Sequence, residues 1–168
     1  MPDPHGDLSL LLPRLVAFAR TIVGDREIAR DLVQEAAARA LSARQVPVEA
    51  GAYRAWVYRI VRNAALDELR RRRRVEAAAS AEAQVDLWSF DTDRIAKLTV
   101  EQGLAAIEPA HREIIALIDI AGFSYAEAAG IIGVPIGTVM SRVARARTAL
   151  LAAIESSTVR PLRTRHGG

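Results

Sequence analysis

The sequence predicts an all-α protein composed of two small helical domains joined by an acidic linker. Apolar residues recur at the 3.6-residue period of amphipathic helices along most of the chain, and the alternation typical of strands is weak. Glycine and proline interrupt this periodicity at short intervals. Between the two periodic halves, residues 75–93 contain acidic side chains and no basic one. These observations favour helices on either side of a linker.

The composition excludes several classes of protein. A length of 168 residues, with 51% hydrophobic and 26% charged residues, is typical of globular chains and unlike disordered ones. The absence of cysteine excludes disulfides and thiolate metal sites. The first residues, MPDPHGD, lack the basic and apolar parts of a signal peptide, and no apolar run reaches the roughly 20 residues that span a bilayer. We therefore expect a cytoplasmic protein without membrane insertion.

Three helices are predicted in the first half. The first covers residues 8–23, with Asp7 as its N-cap and Gly24 at its end. The second begins after Asp25, a favourable N-cap residue, and reaches residue 43. Pro47 and Gly51 then break the pattern. A third helix runs from residue 52 through the arginine run 70–74.

The second half begins near residue 94. A helix to residue 107 is followed by Pro109, which is favoured in a first helical turn. The next helix reaches residue 121 and ends at Gly122. The alanine-rich linker, residues 75–93, also has some helical tendency.

Residues 124–150 predict a helix-turn-helix. Ser124 and Glu127 have the spacing of a capping box, the short helix after them ends at Gly133, and another helix begins near residue 136. One stripe of this last helix is apolar and is expected to pack: Val139, Val143, Ala146 and Leu150. The opposite side is polar and basic: Thr138, Ser141, Arg142 and Arg145.

This polar side has the chemistry of a DNA-reading helix. A major groove admits one α-helix, arginine pairs with guanine in a bidentate way, and serine or threonine contacts bases or phosphates. An exposed basic face is more often only solvated. Here the turn, the capping box and the clustered arginines occur together, and the combination favours DNA binding.

The third predicted helix has a basic ridge that suits a phosphate backbone. The ridge consists of Arg59, Arg62, Arg70 and Arg73, interrupted by Leu66. The net charge is only +3, so these local arginine clusters indicate a polyanionic partner better than the total does. Tyr53 and Trp56 lie at the start of the helix, where aromatic rings can stack on unpaired bases. For Trp56 a core position is favoured, and Asn63 fits a structural amide and a base contact equally well.

Three segments resemble a known family: DREIARDLVQEAAARAL, YRAWVYRIVRNAALDELRRRRR and PAHREIIALIDIAGFSYAEAAGIIGVPIGTVMSRVARARTAL. Together they are similar to bacterial RNA polymerase sigma factors of the extracytoplasmic-function (ECF) type, over residues 8–151. The resemblance implies sigma region 2 in residues 1–74, a linker in 75–93 and region 4 in 94–155, followed by a basic tail, 156–168, that we expect to be disordered. LLPRL and GTVMSR are also similar to the alphaproteobacterial general-stress subgroup.

The resemblance also implies roles for individual residues. Core polymerase, through its β′ clamp and β subunits, is the expected partner of one helix face, which carries Asp31, Leu32, Gln34 and Glu35. The −10 element and its phosphates are assigned to Tyr53, Arg59, Arg62, Asn63, Arg70, Arg71, Arg72 and Arg73. The −35 element is assigned to Thr138, Ser141, Arg142 and Arg145. An anti-sigma factor is a further expected partner, and the linker would thread the polymerase cleft.

Three positions depart from the family pattern. Met140 stands where lysine or arginine is usual, Ala144 where a bulkier residue is common, and Leu41 where tryptophan is frequent. These departures bear on the promoter sequence that is read rather than on the overall function.

Other classes of function fit the sequence less well. A sigma mimic that sequesters an anti-sigma factor would be expected to lose its DNA-contacting arginines, and an ordinary helix-turn-helix repressor leaves the first half unexplained. An enzyme is disfavoured because His5, His111 and His166 are scattered and no phosphate-binding glycine loop is present. We therefore expect no catalytic residues, no metal and no cofactor.

Overall fold

The computed structural model describes residues 4–79 and 95–158, and all regular secondary structure in those ranges is helical. The predicted all-α class is confirmed. The helices of the described ranges are α1 Pro4–Val23, α2 Arg26–Ser42, α3 Ala50–Ala78, α4 Ile95–Ala106, α5 Pro109–Ile115, α6 Tyr125–Ile132 and α7 Ile136–Thr158. A π-helical turn, Ala116–Ile120, continues α5. Most of the predicted linker and of the predicted tail lies outside the described residues.

The ends of the first three helices follow from local chemistry. The carboxylate of Asp25 accepts a hydrogen bond from the backbone N–H of Ile28 at 2.9 Å, which confirms the predicted cap of α2. The start predicted for α1 is wrong, since the helix begins at Pro4 and Asp7 lies inside it. Proline suits a first turn because its fixed φ is helical and its missing N–H would be unpaired there anyway.

The arginine-rich helix is longer than predicted at both ends. It begins at Ala50 and continues four residues beyond the arginine run, to Ala78. Alanine has the highest intrinsic helix propensity, so the alanines at both ends extend the helix. The first residues of the predicted linker are therefore helical.

Turn and capping signals in the second half are confirmed. Pro109 occupies the first turn of α5. Ser124 and Glu127 form both hydrogen bonds of the capping box, at 2.8 and 3.2 Å. Gly122 and Gly133 have φ angles of 73° and 80°, which only glycine adopts without strain, and each ends a helix.

The hydrophobic core extends through both halves of the molecule. In the first half, α1, α2 and α3 bury Leu15, Phe18, Ile22, Val33, Val57 and Val61. In the second, α5, its π-helical continuation, α6 and α7 bury Ile114, Leu117, Ile131, Val139, Val143 and Ala146. The predicted packing stripe of the last helix is therefore confirmed for its first three members, and Leu150 is half-buried.

The two halves also pack directly against each other. The Tyr58 ring of α3 lies edge-on between Phe18 of α1, at 5.1 Å, and Phe123, which precedes α6, at 4.9 Å. At the other end of the contact, Arg20 of α1 pairs with Glu101 of α4 at 2.8 Å. An aromatic cluster and an ion pair thus join the two helical units.

Candidate nucleic-acid interface

The last two helices form the predicted helix-turn-helix. Gly133 ends α6 in a left-handed conformation, and its N–H donates to the carbonyl of Ala129 at 2.8 Å. The carbonyl of Pro135 then accepts from the N–H of Thr138 at 3.0 Å and begins α7. Because Val139 and Val143 are buried, the opposite side of α7 faces solvent.

The predicted reading residues of α7 differ in exposure. Arg145 is exposed, whereas Thr138, Ser141 and Arg142 are half-buried. The Ser141 hydroxyl donates to the carbonyl of Thr138 at 3.0 Å, so its lone pairs remain available as acceptors. The four predicted reading residues thus share one side of α7 but are not equally accessible.

Three further residues, which the sequence analysis did not assign to reading, occupy the outward face of α7: Gly137, Met140 and Ala144. Met140 is 53% exposed. No atom of another residue lies within 4 Å of the point where a Cβ would extend from Gly137. The outermost strip of the helix is therefore small and apolar, with arginines beside it.

The arginines of α7 divide into paired and unpaired side chains. Arg147 forms an ion pair with Asp119 of the π-helical turn at 2.7 Å, and this carboxylate raises the pKa of Arg147. Arg142 and Arg145 have no hydrogen-bond or ion-pair partner in the part of the chain that the structure describes. Two charges on α7 are thus available to an external anion.

Two arginines of α3 contact the second half of the molecule, although Arg59 also remains exposed to solvent. Arg59 donates to the carbonyl of Gly130 in α6 at 2.8 Å. Arg62 forms an ion pair with Glu113 of α5, and both side chains are largely buried. These two predicted DNA contacts are therefore occupied within the molecule in this conformation.

The other predicted −10 residues lie on different sides of α3. Tyr53 is buried, with its ring 5.8 Å from that of half-buried Trp56. Trp56 packs against the core, as favoured from the sequence. Asn63 is exposed, and its side-chain oxygen accepts from Arg62 at 3.3 Å. In this conformation Asn63 is therefore accessible to a ligand, whereas Tyr53 is not.

The arginines of the run 70–74 differ in exposure and in their ion-pair partners. Arg70 pairs with Asp67 at 2.7 Å and Arg71 with Glu68 at 2.8 Å, both at exposed positions of the arginines. Arg72, predicted to contact phosphate, is instead buried, and it donates to Glu68 and to the Val23 carbonyl, each at 3.0 Å. Arg73 and Arg74 are exposed. The run thus contains a structural arginine among solvent-facing ones.

Two of these arginines lower the pKa of a carboxyl group on the same helix. Hydrogen bonds from Arg71 are the largest cause of the lowered pKa of Glu68, and Arg72 adds to it against the opposing effect of burial. Glu68 therefore stays ionised and holds both guanidinium groups close to α3.

Comparisons with known proteins match both halves of the chain. Residues 8–75 match the family described as Sigma-70 region 2, and residues 97–150 match Sigma-70, region 4. The ECF RNA polymerase sigma factor EcfG of Rhodopseudomonas palustris is 37% identical over 150 residues, covering 87% of this chain and 82% of that protein. This chain belongs to the ECF family of sigma factors. ECF sigma factor SigC of Mycobacterium tuberculosis is 36% identical, covering 84% of this chain and 76% of that protein.

Solved structures of sigma factors have a similar fold. The sigma factor RpoE of Bartonella quintana, crystallised with the anti-sigma factor NepR, matches with a TM-score of 0.67 and 30% identity, covering 89% of this chain and 95% of that chain. CnrH, in complex with the cytosolic domain of CnrY, matches with a TM-score of 0.60 and 26% identity, covering 90% of this chain and 88% of that chain. Both matches include most of this sigma factor.

The predicted polymerase-binding residues of the sigma factor lie on α2. Asp31, Gln34 and Glu35 are exposed, and Leu32 is half-buried against the core. Glu35 also pairs with Arg39 one turn later. The helix thus presents a polar surface whose position is fixed by its apolar side.

Arg54 and Glu113 are contact residues that the sequence analysis missed. The Arg54 guanidinium lies 4.0 Å from the centre of the Phe123 ring and donates to the carbonyl of Ala121. Glu113 accepts from Arg62 across 51 positions of sequence. No local pattern indicates either residue, because both contacts join segments that are distant in the sequence.

Neither a membrane span nor a metal cluster is found in the described ranges. Within residues 4–79 and 95–158, no helix combines the length and the hydropathy needed to cross a bilayer. The same residues contain no group of three or more His, Asp or Glu side chains placed to hold a metal ion.

Proposed function

We propose that this sigma factor reads the −35 promoter element with the outward side of α7 and contacts the −10 element with α3. The observation that carries the proposal is the pair Arg142 and Arg145, which have no partner within the described ranges and lie on a helix that follows a glycine-ended turn. Guanidinium groups bind phosphates and guanine edges, and a single helix fits the major groove. Thr138 and Ser141 supply the remaining polar contacts of the proposed −35 surface.

The proposal for α3 requires the two halves to separate. A guanidinium of Arg62 that is paired with Glu113 cannot bind a DNA phosphate at the same time, and Arg59 is likewise held by the carbonyl of Gly130. Contact between Arg62 and the −10 element therefore needs α5 to move away from α3, whereas the exposed Arg59 has only one hydrogen bond to exchange. Tyr53 and Asn63 complete the proposed base-binding set: Asn63 is already exposed, whereas Tyr53 is buried on another side of α3 and must itself become accessible.

The arginine run contributes phosphate contacts of unequal strength. Arg70 and Arg71 form exposed ion pairs, which contribute only about 0–1 kcal/mol and can be exchanged for a phosphate. Arg73 is exposed and needs no such exchange. Arg72, although assigned to the same set from the sequence, positions α3 through the Val23 carbonyl in this conformation.

Protein partners are assigned to other surfaces. We propose that Asp31, Leu32, Gln34 and Glu35 on α2 contact the β′ clamp of core RNA polymerase, with region 2 in residues 1–74 and region 4 in 94–155. An anti-sigma factor is a further proposed partner, because one similar solved structure is a sigma factor with an anti-sigma factor and another is CnrH with the cytosolic domain of CnrY.

Two finer assignments complete the proposal. The sigma factor is proposed to act in the cytoplasm as a specificity subunit with no catalytic step of its own. Membership of the alphaproteobacterial general-stress subgroup is proposed from the segments LLPRL and GTVMSR and from the similarity to EcfG. The identity to SigC, 36%, is nearly as high as the 37% identity to EcfG. The subgroup is tested by isolating the anti-sigma factor that binds this chain and determining the family to which that anti-sigma factor belongs.

Reconstitution tests the promoter function directly. The full chain is combined with core RNA polymerase and transcription is measured from a promoter library. We expect initiation from a subset that shares −35 and −10 elements, and loss of that selectivity in Arg145→Ala. If the chain binds an anti-sigma factor but initiates at no promoter, the sigma-mimic alternative replaces the proposal.

A further inference from the structure

Met140 is an apolar side chain that is exposed to solvent on α7. The side chain is 53% exposed, in the second turn of α7. Ile136, one turn before it, is 49% exposed, and Ala144, one turn after it, is exposed as well. A single exposed apolar residue is ordinary, but these three form a continuous apolar strip along the outward side of one helix.

The strip coincides with the part of α7 that best fits a groove. Gly137, Met140, Ser141 and Ala144 have the i, i+3, i+4, i+7 spacing by which one helix presents four residues to successive bases. Open space around Gly137 and the short side chain of Ala144 let the backbone come close to a groove floor. Met140 is then the longest side chain of the four and reaches furthest.

The charges next to the strip favour nucleic acid as the occupant. Arg145, one turn after Ser141, borders this face and has no partner among the residues that the structure describes. An apolar protein surface that covered Met140 would also desolvate Arg145, and a buried unpaired charge is costly. A DNA duplex instead offers phosphates and guanine edges to the arginines and one apolar group to the methionine.

That apolar group is the thymine 5-methyl. In the major groove the other base substituents are hydrogen-bond donors or acceptors, and a methionine thioether has no donor and is only a weak acceptor. Placing Met140 against an amino or carbonyl group would leave that group desolvated without a hydrogen bond. Against a methyl group it buries apolar surface on both sides.

We propose that Met140 is a specificity-determining residue that selects a thymine in the −35 element through its 5-methyl group, with Ile136 supporting the same apolar contact. The inference rests on the proposed role of α7 as the −35 reader. It adds the chemical identity of one recognised base pair, which neither the arginines nor Ser141 specify.

Deoxyuridine substitution isolates this methyl group. The −35 element is first selected from random duplexes with the holoenzyme, and each thymine of either strand is then replaced singly by deoxyuridine, which keeps every hydrogen-bonding group. We expect one such replacement to weaken binding of the wild-type holoenzyme by about fourfold, the effect of one buried methyl group. In Met140→Ala, the thymine and deoxyuridine duplexes should bind equally at that position.

Leu151→Ala provides the matched control, because Leu151 is another apolar residue of α7, 57% exposed and three turns further along. It should preserve the full preference for thymine. Met140→Lys should lose the thymine preference while gaining affinity for all duplexes at low salt, as expected when a phosphate contact replaces a methyl contact.

The outcomes separate this inference from the proposed function. If the holoenzyme selects a −35 element but no deoxyuridine replacement matters, or if Met140→Ala keeps the thymine preference, the inference is overturned while α7 remains the reader. A selected element without any A·T pair also overturns it. If no −35 sequence is selected at all, the proposed role of α7 fails and this inference fails with it.

Discussion

Arg62 of α3 and Glu113 of α5 form an ion pair between the two halves of the sigma factor, with side-chain exposures of only 15% and 8%. The contact joins an arginine proposed to bind promoter DNA to a carboxylate of the half that matches Sigma-70, region 4. Removing one partner of a buried pair leaves an unpaired charge in a poorly solvated place, which is strongly destabilising. Arg62 can escape that penalty only if the halves move apart.

Glu113→Gln is therefore expected to open the molecule and to strengthen binding to single-stranded −10 DNA. Because the chain contains no cysteine, single cysteines at exposed Ala38 and Ala126 permit fluorescent labelling of the two halves. Energy transfer between the labels should fall in the variant, and its affinity for a −10 oligonucleotide should rise severalfold. Both changes have the same cause, the release of Arg62.

Asp119→Asn is the control for this experiment. It removes the partner of Arg147, but that ion pair lies within the second half and is largely exposed. Energy transfer and −10 binding should both stay at the wild-type level. If Glu113→Gln also leaves them unchanged, the ion pair does not hold the halves together and Arg62 does not contribute to −10 binding.

Arg145→Ala is expected to weaken −35 binding by about 1–3 kcal/mol at the preferred sequence and much less at unrelated sequences. The reason is that a bidentate contact with guanine is specific to one base pair. Fluorescence anisotropy with matched and scrambled −35 duplexes measures the difference. Equal losses on both duplexes would remove Arg145 from the base-reading set.

Arg73→Ala is expected to behave in the opposite way. Arg73 is exposed at the C-terminal part of α3 and is proposed to contact a phosphate. Its loss should weaken binding of promoter DNA by the holoenzyme to a similar extent for every sequence and lower the salt dependence by about one counterion. A sequence-selective loss would contradict the phosphate assignment.

Gly103 and Gly130 both lie inside helices but should respond differently to alanine. A Cβ on Gly103 would lie 2.8 Å from Ile154 Cγ1 and 3.0 Å from Leu150 Cδ1, so these two side chains of α7, or the helix itself, would have to shift. Overpacking of this kind costs about 1–3 kcal/mol, which exceeds the gain of roughly 1 kcal/mol in helix propensity. Around Gly130 the space is open, and alanine there should stabilise by about 0.5–1 kcal/mol.

Urea unfolding of the two alanine variants measures these effects. We expect Gly103→Ala to lower the midpoint and Gly130→Ala to raise it relative to wild type. A Gly103→Ala variant as stable as Gly130→Ala would mean that α4 and α7 are not in close contact at this position.

The features that the sequence predicts correctly depend on interactions within a few residues. The Asp25 cap, the capping box of Ser124 and Glu127, and the left-handed Gly133 each involve a backbone group at most four positions away. Such signals can be recognised in a short stretch of sequence. The same holds for the packing stripe of Val139 and Val143, which the helical period alone defines.

The features that the sequence does not predict depend on which surfaces meet. Arg59 and Gly130 are 71 positions apart, so nothing near Arg59 indicates that α6 will accept its hydrogen bond. At about 100° per residue, Thr138 and Arg142 lie beside the buried stripe rather than opposite it as predicted, and because α7 packs against α4, α5 and α6 both residues are half-buried. Met140, which the period does not single out, is one of the exposed large hydrophobic residues of the helix.

Glu68 gives the sigma factor a pH-dependent contribution to its stability. Hydrogen bonds from Arg71, and secondarily from Arg72, lower the pKa of Glu68 below its ordinary value of 4.5 in the folded chain. The folded state therefore favours the carboxylate, and its stabilising effect is complete above about pH 4.5. As the pH falls from that value through the lowered folded pKa, protonation removes the effect.

Glu68→Gln is expected to lower the melting temperature at pH 7 and to have a smaller effect at pH 3, where the wild-type carboxyl is more nearly protonated. Glu76→Gln, at an exposed position of the same helix, serves as the control and should change the melting temperature little at either pH. The measurement is thermal unfolding followed by circular dichroism across this range. A loss in Glu68→Gln that is the same at pH 3 and pH 7 would show that the Glu68 carboxylate does not stabilise the fold through Arg71 and Arg72.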